Sequence, residues 1–505
     1  MARLGAHGLV GAVALAQFAW VTASRIGHPF GLEWQEGAML EHARRLAAGL
    51  PIYVEPGLDF APFPYPPLFH GLGALALTWF PGGAEATPAA GLLALRAVSV
   101  MATLVLLVLV AVALSPGAGL GSCAIGGASG PSSGTARDPR PRAGDRLLGA
   151  GLVAAGAGFG GWFLDLARVD ALALALTLAA VLAARAARTR AGALLAALVA
   201  AAAVLTKQTA LLPCAALVVP LAGRSLRLAL AFAAALGVAL AAAAAYADAV
   251  SDGWATFTVL DVLAGSPWHR PMVLGFWREA AVAYAPVLAL AALAGRSGLR
   301  AVAAEPFGAT AALGLVLSAW VGRAHEGGFD NTLLPLVVAV ALVAPRLVRA
   351  ARERCGPRRP AWAGDALGAL AVGWLVVAGG DPSAVIPTAA DVIDSTRAVA
   401  ALAELPAPAF VPDAPDLAER AGHPKAVHAM AIVDLLKSGE VEAATKFVRR
   451  LEDALRAGDY GAVVLDAPWD GLDALEERYV LQGTLDVPAP RTGAPRVPRL
   501  VYVRR

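Results

Sequence analysis

The stretch Glu33–Phe69, EWQEGAMLEHARRLAAGLPIYVEPGLDFAPFPYPPLF, decides how this chain is read. It is polar and rich in carboxylates, and it directly follows an apolar run at residues 7–24. Charged groups beside a bilayer cost free energy unless they pair or do chemistry. The position of this stretch therefore predicts a working site at a membrane face.

Composition places the rest of the chain in the membrane. Of its 505 residues, 58% are hydrophobic and only 16% charged, and the mean hydropathy is +0.63. A soluble domain is nearer half apolar and a quarter charged. Apolar runs near 7–24, 90–114, 147–163, 171–188, 191–205, 209–223, 227–248, 276–295, 304–321, 331–347 and 361–379 predict about eleven spans. The shorter run Pro66–Phe80, PPLFHGLGALALTWF, ends in PGG and reads as a re-entrant or interfacial helix. Counting it as a span would move the basic stretch Arg137–Arg146 outside and invert every later loop, taking the later Arg clusters out with it. Cytoplasmic loops hold the Lys/Arg excess. The expected outer segments are therefore 25–89, 164–170, 249–275, 322–331 and the tail 381–505.

Two segments differ from the rest. The Gly/Ser/Pro-rich stretch 115–146 reads as a flexible cytoplasmic linker. Up to about residue 380 bases exceed acids by roughly eight, whereas beyond it acids exceed bases by roughly five. That tail has helical periodicity near 391–404 and 442–456, and strand-like runs at 461–466 and 499–503. It predicts a small extracytoplasmic α/β domain on a multi-span domain covering 1–380. Cys123, Cys214 and Cys355 have no metal-like spacing.

Residues with chemical potential gather at the expected outer span ends. Glu33, Gln35 and Glu36 open the first loop and Tyr65 lies in its PYPP run. A carboxylate there can take a proton from a nucleophile. Glu36 equally suits a first-turn acid at a helix N-terminus. In LDLARVDALAL, Arg168 and Asp170 suit either an interfacial ion pair or a phosphate grip with a second carboxylate. Lys207 is the only lysine before residue 425 and suits either snorkelling or an anionic lipid phosphate. The turn VGRAHEGGFDN adds His325, Asp330 and Asn331 as substrate-binding candidates, without metal-like spacing.

With its WQEG, GLPIY and YPPL elements, followed by LARVDALAL and TKQT, the chain resembles the GT-C superfamily of polyprenol-dependent glycosyltransferases over roughly residues 7–350. The branch it looks most like holds protein O-mannosyltransferases and the bacterial lipid A aminoarabinose transferase. The resemblance implies an enzyme of the bacterial cytoplasmic membrane. Its donor would be a sugar on a polyprenyl phosphate, and its acceptor a lipid, glycan or protein. Membrane lipids are further partners, and nucleic acid is not.

The family's Asp-Glu pair aligns with Gln35-Glu36, and an amide cannot take a proton. The resemblance therefore implies Glu36, assisted by Glu33, as base. Asp170 matches the second acid, which in some members helps hold a divalent metal and in others does not. Lys207 matches a contact to the lipid phosphate, and Arg168 could join it through its guanidinium. Two rival readings of the same residues are a non-catalytic binding or scaffold protein and a lipid-linked-sugar flippase. Loss of the Asp at position 35 favours the first of these. The gathering of polar groups at span ends, rather than near the midplane, speaks against the second.

Overall fold

A computed structural model describes residues 5–115, 143–355, 362–469 and 472–505. All eleven apolar runs are helical, and the chain is a multi-pass helical membrane protein with a small C-terminal α/β part. Six helices are individually long and apolar enough to cross a bilayer: Ala6–Arg25, Pro88–Ala113, Leu226–Ala249, Ala285–Ala303, Pro306–Ala324 and Asp330–Arg354. A seventh span results if Trp362–Ala378 and Pro382–Ala403, bent by 49°, count as one. The other apolar runs form shorter helices that pack within the bundle. The run expected at 276–295 straddles a break at Tyr284 between two helices. Most of the linker expected at 115–146 lies outside the described residues, while 143–146 begin the helix Ala143–Phe159.

Small residues set how closely the helices approach. A Cβ on Gly8 would sit 2.7 Å from the Gly144 Cα, and one on Gly151 would overlap Gly11. The helices Ala6–Arg25 and Ala143–Phe159 therefore meet backbone to backbone, where dispersion contacts are densest. The run Pro66–Phe80 forms the ten-residue helix Leu68–Leu77. At 1.5 Å per residue it is about 15 Å long, too short to span. It packs against Glu36–Ala47 and Pro88–Ala113.

The C-terminal residues build a four-stranded sheet from β1 (Ala409–Phe410), β2 (Ala462–Leu465), β3 (Tyr479–Thr484) and β4 (Leu500–Arg504). The order is β1-β2-β4-β3, with β1 parallel to β2 and the other pairs antiparallel. The helix Ala389–Ala403 starts at a capping box made by Thr388 and Asp391. The helix Val441–Ala457 buries Phe447, Leu451 and Leu455 on one face and stops at Gly458, whose φ is +73°.

This part is not an appendage with a core of its own alone. Phe410, Val427, Ile432, Leu435, Phe447 and Leu451 share one apolar core with Met39, Leu40, Ala43, Phe63 and Phe69 of the first loop and its helices. Ion pairs stitch the rim: Arg44–Glu419 at 3.0 Å, Lys425–Glu41 at 2.6 Å and Lys446–Glu55 at 2.5 Å. Burial of several large side chains at about 1.5–3 kcal/mol each outweighs such exposed pairs, which contribute about 0–1 kcal/mol.

Removing residues 385–505 should therefore strip the first loop of half its core and lower the melting temperature of the purified remainder sharply. A truncated protein that melts with the full chain would refute the shared core.

Candidate active site

Glu36 opens the helix Glu36–Ala47 and is fully buried. Its Oε1 accepts from Arg96 Nε at 3.0 Å and from the Ala167 backbone N–H at 2.8 Å. Its Oε2 accepts from Arg96 Nη2 at 2.6 Å and from the Leu32 N–H at 2.7 Å. Burial pushes its pKa up, but Arg96 and the two backbone donors overcome that and hold it below the usual carboxylate range. Both oxygens are occupied, and the group faces no open space. This geometry does not suit the base expected at Glu36; it suits an anchor. Arg96 in turn donates to the carbonyls of His28 and Phe30, so the pair fixes the loop 26–35 on the helix Pro88–Ala113.

Glu33, one turn earlier, stands differently. Its Oε2 accepts from Arg168 Nη1 at 3.1 Å and from the Gln35 N–H at 3.1 Å. Burial is the larger influence and raises its pKa to about 7, with Arg168 opposing. Arg168 also donates to the Gln35 side-chain oxygen and, at 2.9 Å, to the Tyr65 hydroxyl. Its Nε is buried without a partner among the described residues. Four of the expected residues, Glu33, Gln35, Tyr65 and Arg168, thus form one network.

Three more form a second group beside it. The Asp170 Oδ1 accepts from Lys207 Nζ at 2.6 Å and from Asn331 Nδ2 at 3.2 Å. Asp170 follows Arg168 by two residues, so the groups adjoin. The lysine ammonium neutralises the carboxylate, which makes Asp170 a poor ligand for a divalent ion. Among the described residues no three His, Cys, Asp or Glu side chains are grouped to hold a metal. The residues do not fit the metal that the resemblance allows.

His325 and Asp330 stand apart. The His325 ring packs on Trp268, 4.5 Å between centroids, and Asp330 pairs with Arg323 at 3.1 Å. Neither reaches either network, because the turn directs them at their own neighbours rather than at Asp170.

Glu33, Gln35, Arg168 and Asn331 line a cavity of about 870 Å³, measured to its open mouth. Phe163 and Phe329 form apolar wall on the membrane-domain side. Asp413, Met430, Lys437, Trp469 and Arg496 of the C-terminal part close the other side. A cleft that is mostly apolar with a few convergent charges is the usual form of a small-molecule site.

Superposition on solved structures gives the decisive comparison. The chain matches ArnT from Cupriavidus metallidurans, a lipid A aminoarabinose transferase, in its apo state over 98% of its own length and 97% of that protein's. The TM-score is 0.55 and the identity 15%. The chain has the GT-C fold. The same protein bound to undecaprenyl phosphate matches with a TM-score of 0.54 at 14% identity, over 98% and 97% of the two chains. No protein-family model and no curated protein matches the sequence. The GT-C fold thus reaches across both the helical bundle and the C-terminal sheet, although the sequence elements that carried the resemblance stop near residue 350.

Sequence reasoning missed Arg96 and the C-terminal wall. Arg96 had a signal: it is the one charged residue inside the apolar helix Pro88–Ala113, and such a residue needs a buried partner. Asp413, Lys437 and Arg496 had none, because only folding brings them to the cavity.

Glu36→Gln should leave Arg96 buried beside a neutral partner and cost about 3–5 kcal/mol of stability. Glu33→Gln should change stability far less, since Arg168 keeps Gln35 and Tyr65. Thermal melts of the two purified variants test this; equal losses would put Glu33 and Glu36 in the same structural role.

Proposed function

We propose that this protein is an inverting glycosyltransferase. It moves a sugar from a polyprenyl-phosphate donor to an acceptor at the outer face of the bacterial cytoplasmic membrane. The observation that carries the reading is the buried Glu33 carboxyl with its raised pKa, held by Arg168 at the cavity and adjoined by the Lys207–Asp170–Asn331 group. The GT-C fold and the solved relative bound to undecaprenyl phosphate support it.

In this mechanism Glu33 takes the proton from an acceptor hydroxyl. The oxygen attacks the anomeric carbon, and the bond from that carbon to the lipid phosphate oxygen breaks with inversion. The electron pair leaves on the phosphate, where Lys207 and Arg168 meet the growing negative charge. Such preorganised charge contributes most when water is excluded. Asp170 holds the Lys207 ammonium in place, and Asn331 fixes Asp170. Tyr65 and Gln35 orient Arg168.

The C-terminal part and the segments 25–89 and 164–170 lie outside in this reading. The Arg-rich stretches at 185–190, 224–227, 296–300 and 346–359 then face the cytoplasm, as the positive-inside rule requires.

A base must be ionised, so kcat/KM should fall about tenfold per pH unit below pH about 7. Glu33→Gln should abolish turnover while retaining undecaprenyl phosphate binding. Lys207→Met should weaken that binding about tenfold or more, the scale of one charge-assisted contact. Wild-type turnover in Glu33→Gln would remove the base from Glu33. Lipid mass spectrometry on a deletion strain checks the class: one polyprenyl-phosphate sugar should accumulate. An unchanged lipid-linked pool would favour a non-catalytic binding protein.

A further inference from the structure

A second cleft, of about 650 Å³ measured to its open mouth, also borders Glu33. It shares Glu33, Trp34, Asp413 and Arg496 with the first, so the two spaces meet at the residue placed as base. The first is lined by Arg168, one of the two groups placed at the lipid phosphate. The second is walled by loop 28–37 and by C-terminal residues from four separate stretches, 391–395, 413–417, 487–491 and 496–498.

Its charge is lopsided. Glu33, Asp391, Asp413 and Asp416 line it against two guanidinium groups, Arg491 and Arg496. Both guanidiniums are already engaged. Arg491 grips Asp391 with Nε at 3.0 Å and Nη2 at 2.8 Å, and Arg496 Nη1 donates to Asp466 at 3.0 Å.

The carboxylates are less satisfied. Asp413, 4% exposed, accepts one bond on Oδ2 from the Asp466 N–H at 2.9 Å. Its Oδ1 accepts none among the described residues. Asp416 accepts no hydrogen bond from another side chain among them. Burial raises the pKa of both, which agrees with acceptors awaiting donors. His28, also in the wall, is held neutral, its pKa lowered to about 4 by burial and then by Arg96, so it adds no cation.

We propose that this second cavity is the acceptor subsite, and that it takes an uncharged or amine-bearing saccharide while rejecting phosphorylated or carboxylated ones. The inference rests on the transferase reading and names its acceptor class. Saccharide hydroxyl or ammonium groups donate to Asp413 and Asp416. Trp34, Phe30 and the prolines at 488, 490 and 498 supply apolar wall against which the ring would rest. An anionic acceptor would meet four carboxylates against two guanidinium groups that each already hold a carboxylate, which sets a repulsive barrier to the wrong partner. An acceptor hydroxyl at the edge the two cavities share would meet Glu33 and, beside it, the anomeric carbon of a donor in the first cavity.

The test uses the full chain in lipid nanodiscs. Glucose, glucosamine and glucuronate serve as probes, with binding followed by saturation-transfer NMR. Glucose and glucosamine should bind, and glucuronate should bind at least about tenfold more weakly. Asp416→Asn and Asp413→Asn should each narrow that gap, and Asp416→Asn, which lies outside the first cavity, should leave undecaprenyl phosphate binding unchanged, which also reports that this variant folds. Glucuronate binding as tightly as glucose overturns the proposal. So does a complete lack of binding by glucose and glucosamine, or a gap that neither substitution alters. Failure of the native protein to bind undecaprenyl phosphate would instead strike the donor reading.

Discussion

The Glu36–Arg96 ion pair is the constraint on which the rest of the candidate site depends. A buried pair of charges is tolerated only when its remaining lone pairs and protons are met, and here they are. The carboxylate takes four donors, two from Arg96 and two from the backbone at Leu32 and Ala167. Those two N–H groups belong to different outer segments. One interaction therefore fixes the loop 26–35, the segment 160–169 and the helix Pro88–Ala113 relative to one another. Glu33 and Arg168 then meet because each lies one residue beyond an atom held by Glu36.

Two glutamates three residues apart so acquire opposite characters. Glu36 is saturated with donors and stays ionised. Glu33 has one guanidinium, shared with Gln35 and Tyr65, and one backbone N–H. Burial therefore wins at Glu33 and loses at Glu36. Environments that push neighbouring acids apart mark their division of labour. The amide at position 35 fits this arrangement, because Gln35 offers its oxygen to Arg168 without adding a third charge to the cluster.

Much of the fold was legible in the sequence because hydropathy and helical period report local facts. The apolar runs, the short helix within Pro66–Phe80, and the helices near 391–404 and 442–456 all emerge within a few residues of where periodicity places them. The C-terminal strands do so as well. The site was half legible. Glu33, Gln35, Tyr65, Arg168, Asp170, Lys207 and Asn331 were marked by polarity at span ends, and folding gathers them. The roles of Glu33 and Glu36 were not legible, because they turn on Arg96, sixty residues away from Glu36. His325 and Asp330 look like site residues by composition, yet their ring and ion-pair partners are local. The shared core of the first loop and the C-terminal part was invisible for the same reason: no local pattern says which apolar faces will meet.

The contact of Thr492 and Gly493 with the outer loop has a consequence for biosynthesis. Arg25 Nη1 donates to Thr492 Oγ1 at 3.1 Å, the Thr492 N–H donates to the Leu32 carbonyl at 2.9 Å, and Gly493, at φ +80°, leaves room for the Glu33 side chain. Thr492 leaves the ribosome 467 residues after Arg25. Glu33 is translated early, but its neighbours Thr492 and Gly493 exist only after hundreds of further residues have been made. The half-made protein therefore holds an unfinished cavity, and translation itself sets the moment at which that cavity closes.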